Sequence, residues 1–122
     1  AEIGSASSMA AGAVAYLMGG DARVIANAAA LAMKNLLGLA CDPVAGLVEV
    51  PCVKRNVMGA VNAMTSADLA LAGVMSRIPP DEVFDAMRAI GRAMPENIRE
   101  TGLGGLAGTP TGVELREKLT GM

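Results

Sequence analysis

CDPVAGLVEVPCVKRN, residues 41–56, is the stretch on which the fold class turns. Within it, Leu47 to Val50 is the best candidate for a β-strand anywhere in the chain. A strand needs a partner, and no other segment alternates apolar and polar residues as a partner would. The candidate is too short and isolated to stand. Pro51 suits the first turn of a helix, because its missing N–H is not needed there. A helix is therefore predicted from Cys52 to about Leu71, with Gly73 near its end. Residues 39–50 become a loop that carries Cys41 and closes on Cys52. The reading is all-α: a compact bundle of about five or six helices with an irregular cysteine-bearing loop, one helical domain over residues 1–122.

Punctuation on either side agrees. Toward the N-terminus, a first helix runs from Ser5 to Met18 and stops at Gly19-Gly20. Asp21 can cap a second helix reaching Leu37, with Gly38 at its end. Toward the C-terminus, Ile78-Pro79-Pro80 is a rigid connector. Asp81-Glu82 opens a fourth helix with Val83, Met87 and Ile90 on one face, and Arg88 and Arg92 toward its negative end. Pro95 starts a short further segment. Thr101 to Gly112 contains five glycines and reads as loop. Thr111 followed by Glu114 resembles a capping box for a last helix, Val113 to Leu119.

Composition narrows the function. Of 122 residues 52% are hydrophobic but only 2% aromatic, with one Tyr, one Phe and no Trp. The core must then be built from Ala, Leu, Val, Ile and Met, whose small members let helix backbones approach closely. A net charge of −2 with no basic stripe argues against nucleic-acid binding. Residues 3–20 are uncharged, yet they are rich in Ala, Gly and Ser and broken at Gly19-Gly20, so no membrane span is expected and a cytoplasmic location is. The chain has no His, which removes the usual proton-transfer group near neutral pH and any Cys/His zinc site. A base would be Lys, Glu or Asp, or would come from other polypeptide.

Cys41 and Cys52 are the only cysteines. Two buried free thiols, a disulfide and metal ligation are three open readings. A helix start at Cys52 would favour its thiolate and offer N–H groups to sulfur. Arg55 and Asn56 fall in the first turn after Cys52. Arg55 could hold a carboxylate, or form only a surface ion pair; Asn56 offers a donor and an acceptor, or merely meets solvent. Two thiolates do not hold an iron–sulfur cluster, which takes three or four.

The pattern Cys41-Asp-Pro-Val-x-Gly-Leu-Val-x-x-Pro-Cys52-x-x-Arg55-Asn56-x-x-Gly59-Ala60 closely resembles the signature of bacterial iron–sulfur L-serine dehydratases, in their α domain or α subunit. AEIGSASSMAA, residues 1–11, resembles the segment just after that family's first cluster cysteine, and Arg99-Glu-Thr-x-x-Gly104-Gly-Leu-Ala107 its C-terminal motif. The resemblance implies an oxygen-sensitive [4Fe–4S] cluster held by three cysteines, two matching Cys41 and Cys52. The third would fall just upstream of Ala1, so the chain is read as the C-terminal part of an α chain, inactive alone. One iron left without a protein ligand would assist β-elimination of L-serine to pyruvate and ammonia, without pyridoxal phosphate. No catalytic base is assigned on this chain. The base would lie on a β domain or β subunit, and a homo-oligomer is expected. Ser5, Arg55, Asn56 and Thr101 become candidate substrate contacts, with Ser8 beside them. For Ser5 a capping role, and for Thr101 a loop-structuring role, are the competing readings. Gly104 and Gly105 are expected to permit a tight turn near the cluster.

The chain also departs from the family's pattern. Ile98 and Gly102 stand where Tyr and Ser are common, which puts polar contacts there in doubt. The end Thr120-Gly-Met122 lacks the terminal cysteine of some members, and Gly108-Thr-Pro-Thr-Gly112 looks more like two-subunit members. A related lyase acting on L-cysteine or L-threonine, or a non-catalytic helical interaction domain, are the alternatives.

Overall fold

The computed structural model describes residues 2–121. Ala1 and Met122, where the sequence reading placed the join to an upstream cysteine and the tail, lie outside them. Five α-helices follow in order: α1 (Glu2–Leu17), α2 (Ala22–Lys34), α3 (Cys52–Leu71), α4 (Pro80–Ala93) and α5 (Pro110–Thr120). Three 3₁₀ turns stand between them, at Val44–Gly46, Glu96–Ile98 and Gly105–Gly108. No strand occurs among the described residues. Of Leu47 to Val50, Leu47 is a single extended residue and the other three form a turn, closed by a hydrogen bond from the Val44 N–H to the Val50 carbonyl (2.9 Å).

α1, α2 and α3 pack on one another around Ala11, Ala15, Ala28, Ala32, Ala63 and Ala67, with Leu31 beside them. Alanine pairs bring backbones close enough for side chains to reach main chain across the interface. Ser7 Oγ on α1 donates to the Gly59 carbonyl on α3 (2.7 Å), and a β-carbon at Gly59 would sit 3.0 Å from Ile3 Cγ2. Asn62 on α3 donates to Ser7 Oγ (2.9 Å) and to the Ala32 carbonyl on α2 (3.0 Å), so one amide holds three helices. α4 lies on α2 through Val83, Met33 and Ala30, with Met87 alongside.

The structure moves several predicted boundaries. α1 begins at Glu2, so Ser5 is inside a helix and cannot cap it. Asp21 caps α2 as expected, accepting from the Val24 N–H (3.0 Å), but α2 ends at Lys34. A turn then carries the chain to Gly38, which adopts φ +76°. α4 opens one residue earlier than expected, with Pro80 in its first turn. The last helix is capped by Thr109, whose Oγ1 accepts from the Gly112 N–H (3.1 Å), with Pro110 in the first turn. Pro110 has its φ preset for that position, which favours Thr109 over Thr111. Glu114 is thereby freed from any capping box and pairs with Lys118 one turn on (2.5 Å).

Candidate functional site

Cys52 is the first residue of α3, and Arg55 and Asn56 follow in its opening turn. Cys41 comes from the loop after α2. Both cysteines are free thiols, partly buried, and they line one pocket with Glu2, Ile3, Leu39, Ala40, Asp42, Val48, Arg55 and Asn56. The walls are largely apolar. Burial pushes the Cys41 thiol up from its ordinary range, and the charges of Glu100 and Cys52 push the same way. A thiol so placed stays protonated until a metal or another cation stabilises the thiolate.

The cysteine loop is held by main chain from the far end of the sequence. The Cys41 N–H donates to the Ile98 carbonyl and the Glu100 N–H donates to the Cys41 carbonyl, both at 2.9 Å, forming an isolated parallel bridge between Cys41 and Arg99. Asp42, only 3% exposed, fastens it further. Its Oδ1 accepts from Arg55 Nη1 (2.5 Å) and its Oδ2 from the Leu106 N–H (2.6 Å). Arg55 Nη1 also donates to the Ala40 carbonyl (2.8 Å). Burial alone would raise the Asp42 pKa, but the Leu106 N–H and the Arg55 guanidinium outweigh it and hold the carboxyl below the usual range.

Four of the six sequence-predicted site residues meet here: Cys41, Cys52, Arg55 and Asn56. Arg55 uses Nη1 on the loop, while its other guanidinium N–H groups make no hydrogen bond among the described residues. The Asn56 side chain is exposed at the rim. Ser5 and Thr101 are not brought into the pocket. Ser5 is exposed on α1, and Thr101 Oγ1 donates to the Glu96 carbonyl (2.9 Å), the loop-structuring reading. Ser8 donates to the Ala29 carbonyl inside the bundle (2.9 Å). Glu2 and Asp42, given no role by the sequence reading, both line the pocket. The only signal for Asp42 was its place beside Cys41, since its partner Leu106 is 64 residues away.

A family model described as "Serine dehydratase alpha chain" matches residues 1–107. The chain belongs to the serine dehydratase alpha chain family. The match takes in the whole pocket and stops before α5. The chain is 64% identical over 121 residues to the probable L-serine dehydratase, alpha chain, of Bacillus subtilis, covering 99% of this chain and 40% of that protein. A protein of the same name from Latilactobacillus sakei is 62% identical over 121 residues, with 99% and 58% covered. The L-serine dehydratase, alpha chain, of Peptoniphilus asaccharolyticus is 55% identical over 116 residues, with 95% and 40% covered. The chain thus spans roughly two-fifths to three-fifths of the length of these relatives.

Proposed function

We propose that this chain is the cluster-binding part of an L-serine dehydratase α chain, and that Cys41 and Cys52 supply two of three thiolate ligands to a [4Fe–4S] cluster. The observation that carries the reading is the pairing of two free thiols in one largely apolar pocket, inside the segment shared with relatives named L-serine dehydratase. The donor set suits such a cluster, which is held by cysteine thiolates. It is also incomplete, because no group of three or more His, Cys, Asp or Glu side chains able to hold a metal occurs among the described residues. A third thiolate from elsewhere in the full protein completes the set. The bound cluster would supply a Lewis-acidic iron for loss of the substrate hydroxyl.

The chain's own residues do the positioning. The free N–H groups of Arg55 suit a substrate carboxylate at the pocket. Asn56 stands at the rim to orient an amino acid by donor or acceptor. Neither Ser5 nor Thr101 touches this pocket, so both stand as weaker substrate contacts than Arg55 and Asn56. The proton-abstracting base and the rest of the substrate pocket belong to a β domain or β subunit. The enzyme is read as a soluble cytoplasmic homo-oligomer that needs no pyridoxal phosphate. None of the described helices is long and apolar enough to cross a membrane.

The test is iron and sulfide content after anaerobic reconstitution. Full-length protein should take up a [4Fe–4S] cluster and release pyruvate from L-serine, and Cys41→Ser or Cys52→Ser should abolish both. Unchanged iron content in either variant would remove the reading. Faster pyruvate release from L-cysteine than from L-serine would reassign the substrate. Residues 1–122 alone should form no stable cluster.

A further inference from the structure

We infer that Asp42 is a positioning residue that sets Cys41 against Cys52 by joining the cysteine loop, the first turn of α3 and the turn at 105–108 through its two carboxylate oxygens. The inference rests on the cluster reading above for its purpose, but its geometry stands independently.

A carboxylate this deeply buried is costly to desolvate unless both oxygens are matched. Here each oxygen serves a different segment. Oδ1 takes Arg55 Nη1 from α3 at 2.5 Å, and Oδ2 takes the Leu106 N–H at 2.6 Å. Arg55 lies three residues after Cys52, so both project from one side of α3, and the Asp42–Arg55 contact transmits the position of Cys52 to the loop. Arg55 Nη1 also grips the Ala40 carbonyl, which brackets Cys41 between two anchored neighbours. Cys41 is then bound on its own backbone by Ile98 and Glu100. Gly105 completes the joint. It adopts φ +61°, and a β-carbon there would run into the Asp42 carboxylate, so the backbone reaches Oδ2 only because the side chain is missing. Without Asp42, Arg55 loses its anion, the Leu106 N–H is orphaned, and among the described residues the hydrogen bonds of the Cys41 bridge alone remain between residues 98–108 and the thiol loop.

Three variants of the full-length protein test this, each compared with wild type for retained helicity: Asp42→Asn, Asp42→Ala and, as a control, Asn62→Ala. Asn62 joins α1, α2 and α3 away from the pocket, so its loss lowers stability without touching the joint. The first readout needs no metal. In apoprotein, alkylation of Cys41 should speed up about tenfold in both Asp42 variants while Cys52, fixed in α3, changes little, and Asn62→Ala should leave the Cys41-to-Cys52 rate ratio as in wild type. The second is cluster retention. After anaerobic loading, the Asp42 variants should lose iron in air about ten- to a hundredfold faster than wild type and Asn62→Ala. Wild-type ratios and retention in Asp42→Asn and Asp42→Ala alike would overturn the inference. So would equal losses in Asn62→Ala, since general destabilisation would then suffice. If wild type takes up no cluster, the cluster reading fails, and the alkylation ratio still decides the role of Asp42.

Discussion

A β-carbon at position 105 has nowhere to go: the glycine sits at positive φ and its open side faces the Asp42 carboxylate. Gly73 also has positive φ, +87°, but nothing lies within 4 Å of where its β-carbon would be. The pair separates two costs. Gly73→Ala should cost only the left-handed strain, about 1 kcal/mol. Gly105→Ala should cost that plus the displacement of a buried carboxylate, about 2–4 kcal/mol together. Urea unfolding monitored by circular dichroism measures both, and equal losses would mean that the Asp42 contact contributes little. Part of the candidate site was readable at this scale. Cys41, Cys52, Arg55 and Asn56 are close in sequence, and one loop and one helix turn suffice to gather them. The contact of Asp42 with Leu106 was not readable, because residue spacing carries no information on which distant N–H a carboxylate will find. Ser5 and Thr101 were singled out by motif alone, and helix phase and a local carbonyl drew them elsewhere.

Among the elements, α3 was the easiest to read because its signals agree: a proline before it, a long apolar-and-small run, and a glycine after it. Its predicted span, Cys52 to about Leu71, is the observed one. The start of α5 was harder because two threonines compete. Thr111 has the acidic residue three positions on, whereas Thr109 has the proline next to it, and the proline's rigid φ decides. Capping by Thr109 has a measurable counterpart. Thr109→Ala should cost about 1 kcal/mol, because the Gly112 N–H loses its acceptor. Thr111→Ala, on an exposed position within the helix, should change stability by no more than about 0.5 kcal/mol. Melting temperatures of the two variants should therefore differ, and a larger loss for Thr111→Ala would restore the capping box as the true start. Gly112 fits the same account, since its β-carbon would press on the Ala107 carbonyl at 2.9 Å, leaving one narrow way for α5 to leave the preceding turn.

Across the whole molecule, stability should be uneven. The alanine-lined packing of α1, α2 and α3, with α4 on α2, is continuous and tied by Asn62. α5 instead packs on the turns at Val44–Gly46 and Gly105–Gly108. The C-terminal part therefore rests on the cysteine loop, held by the Cys41 bridge and the Leu106–Asp42 hydrogen bond. Such a region opens locally at lower free energy than the helical core. Native-state hydrogen exchange should show it as one cooperative unit: amides of residues 41–47 and 98–121 exchanging together, ahead of those in α1 to α3. Asp42→Asn removes the charge that Leu106 and Arg55 share. Losing a hydrogen bond to a charged group costs about 1.5–3 kcal/mol, so exchange in this unit should quicken about tenfold or more while the helical core keeps its protection. A uniform rise in exchange would show that Asp42 supports the whole fold. A rise confined to residues 105–109 would show that α5 is held without the joint. Loop and C-terminal unit should loosen together because the thiol pair is built where the helical core and the C-terminal part of the chain meet, and Asp42, beside Cys41, is held by a contact 64 residues away.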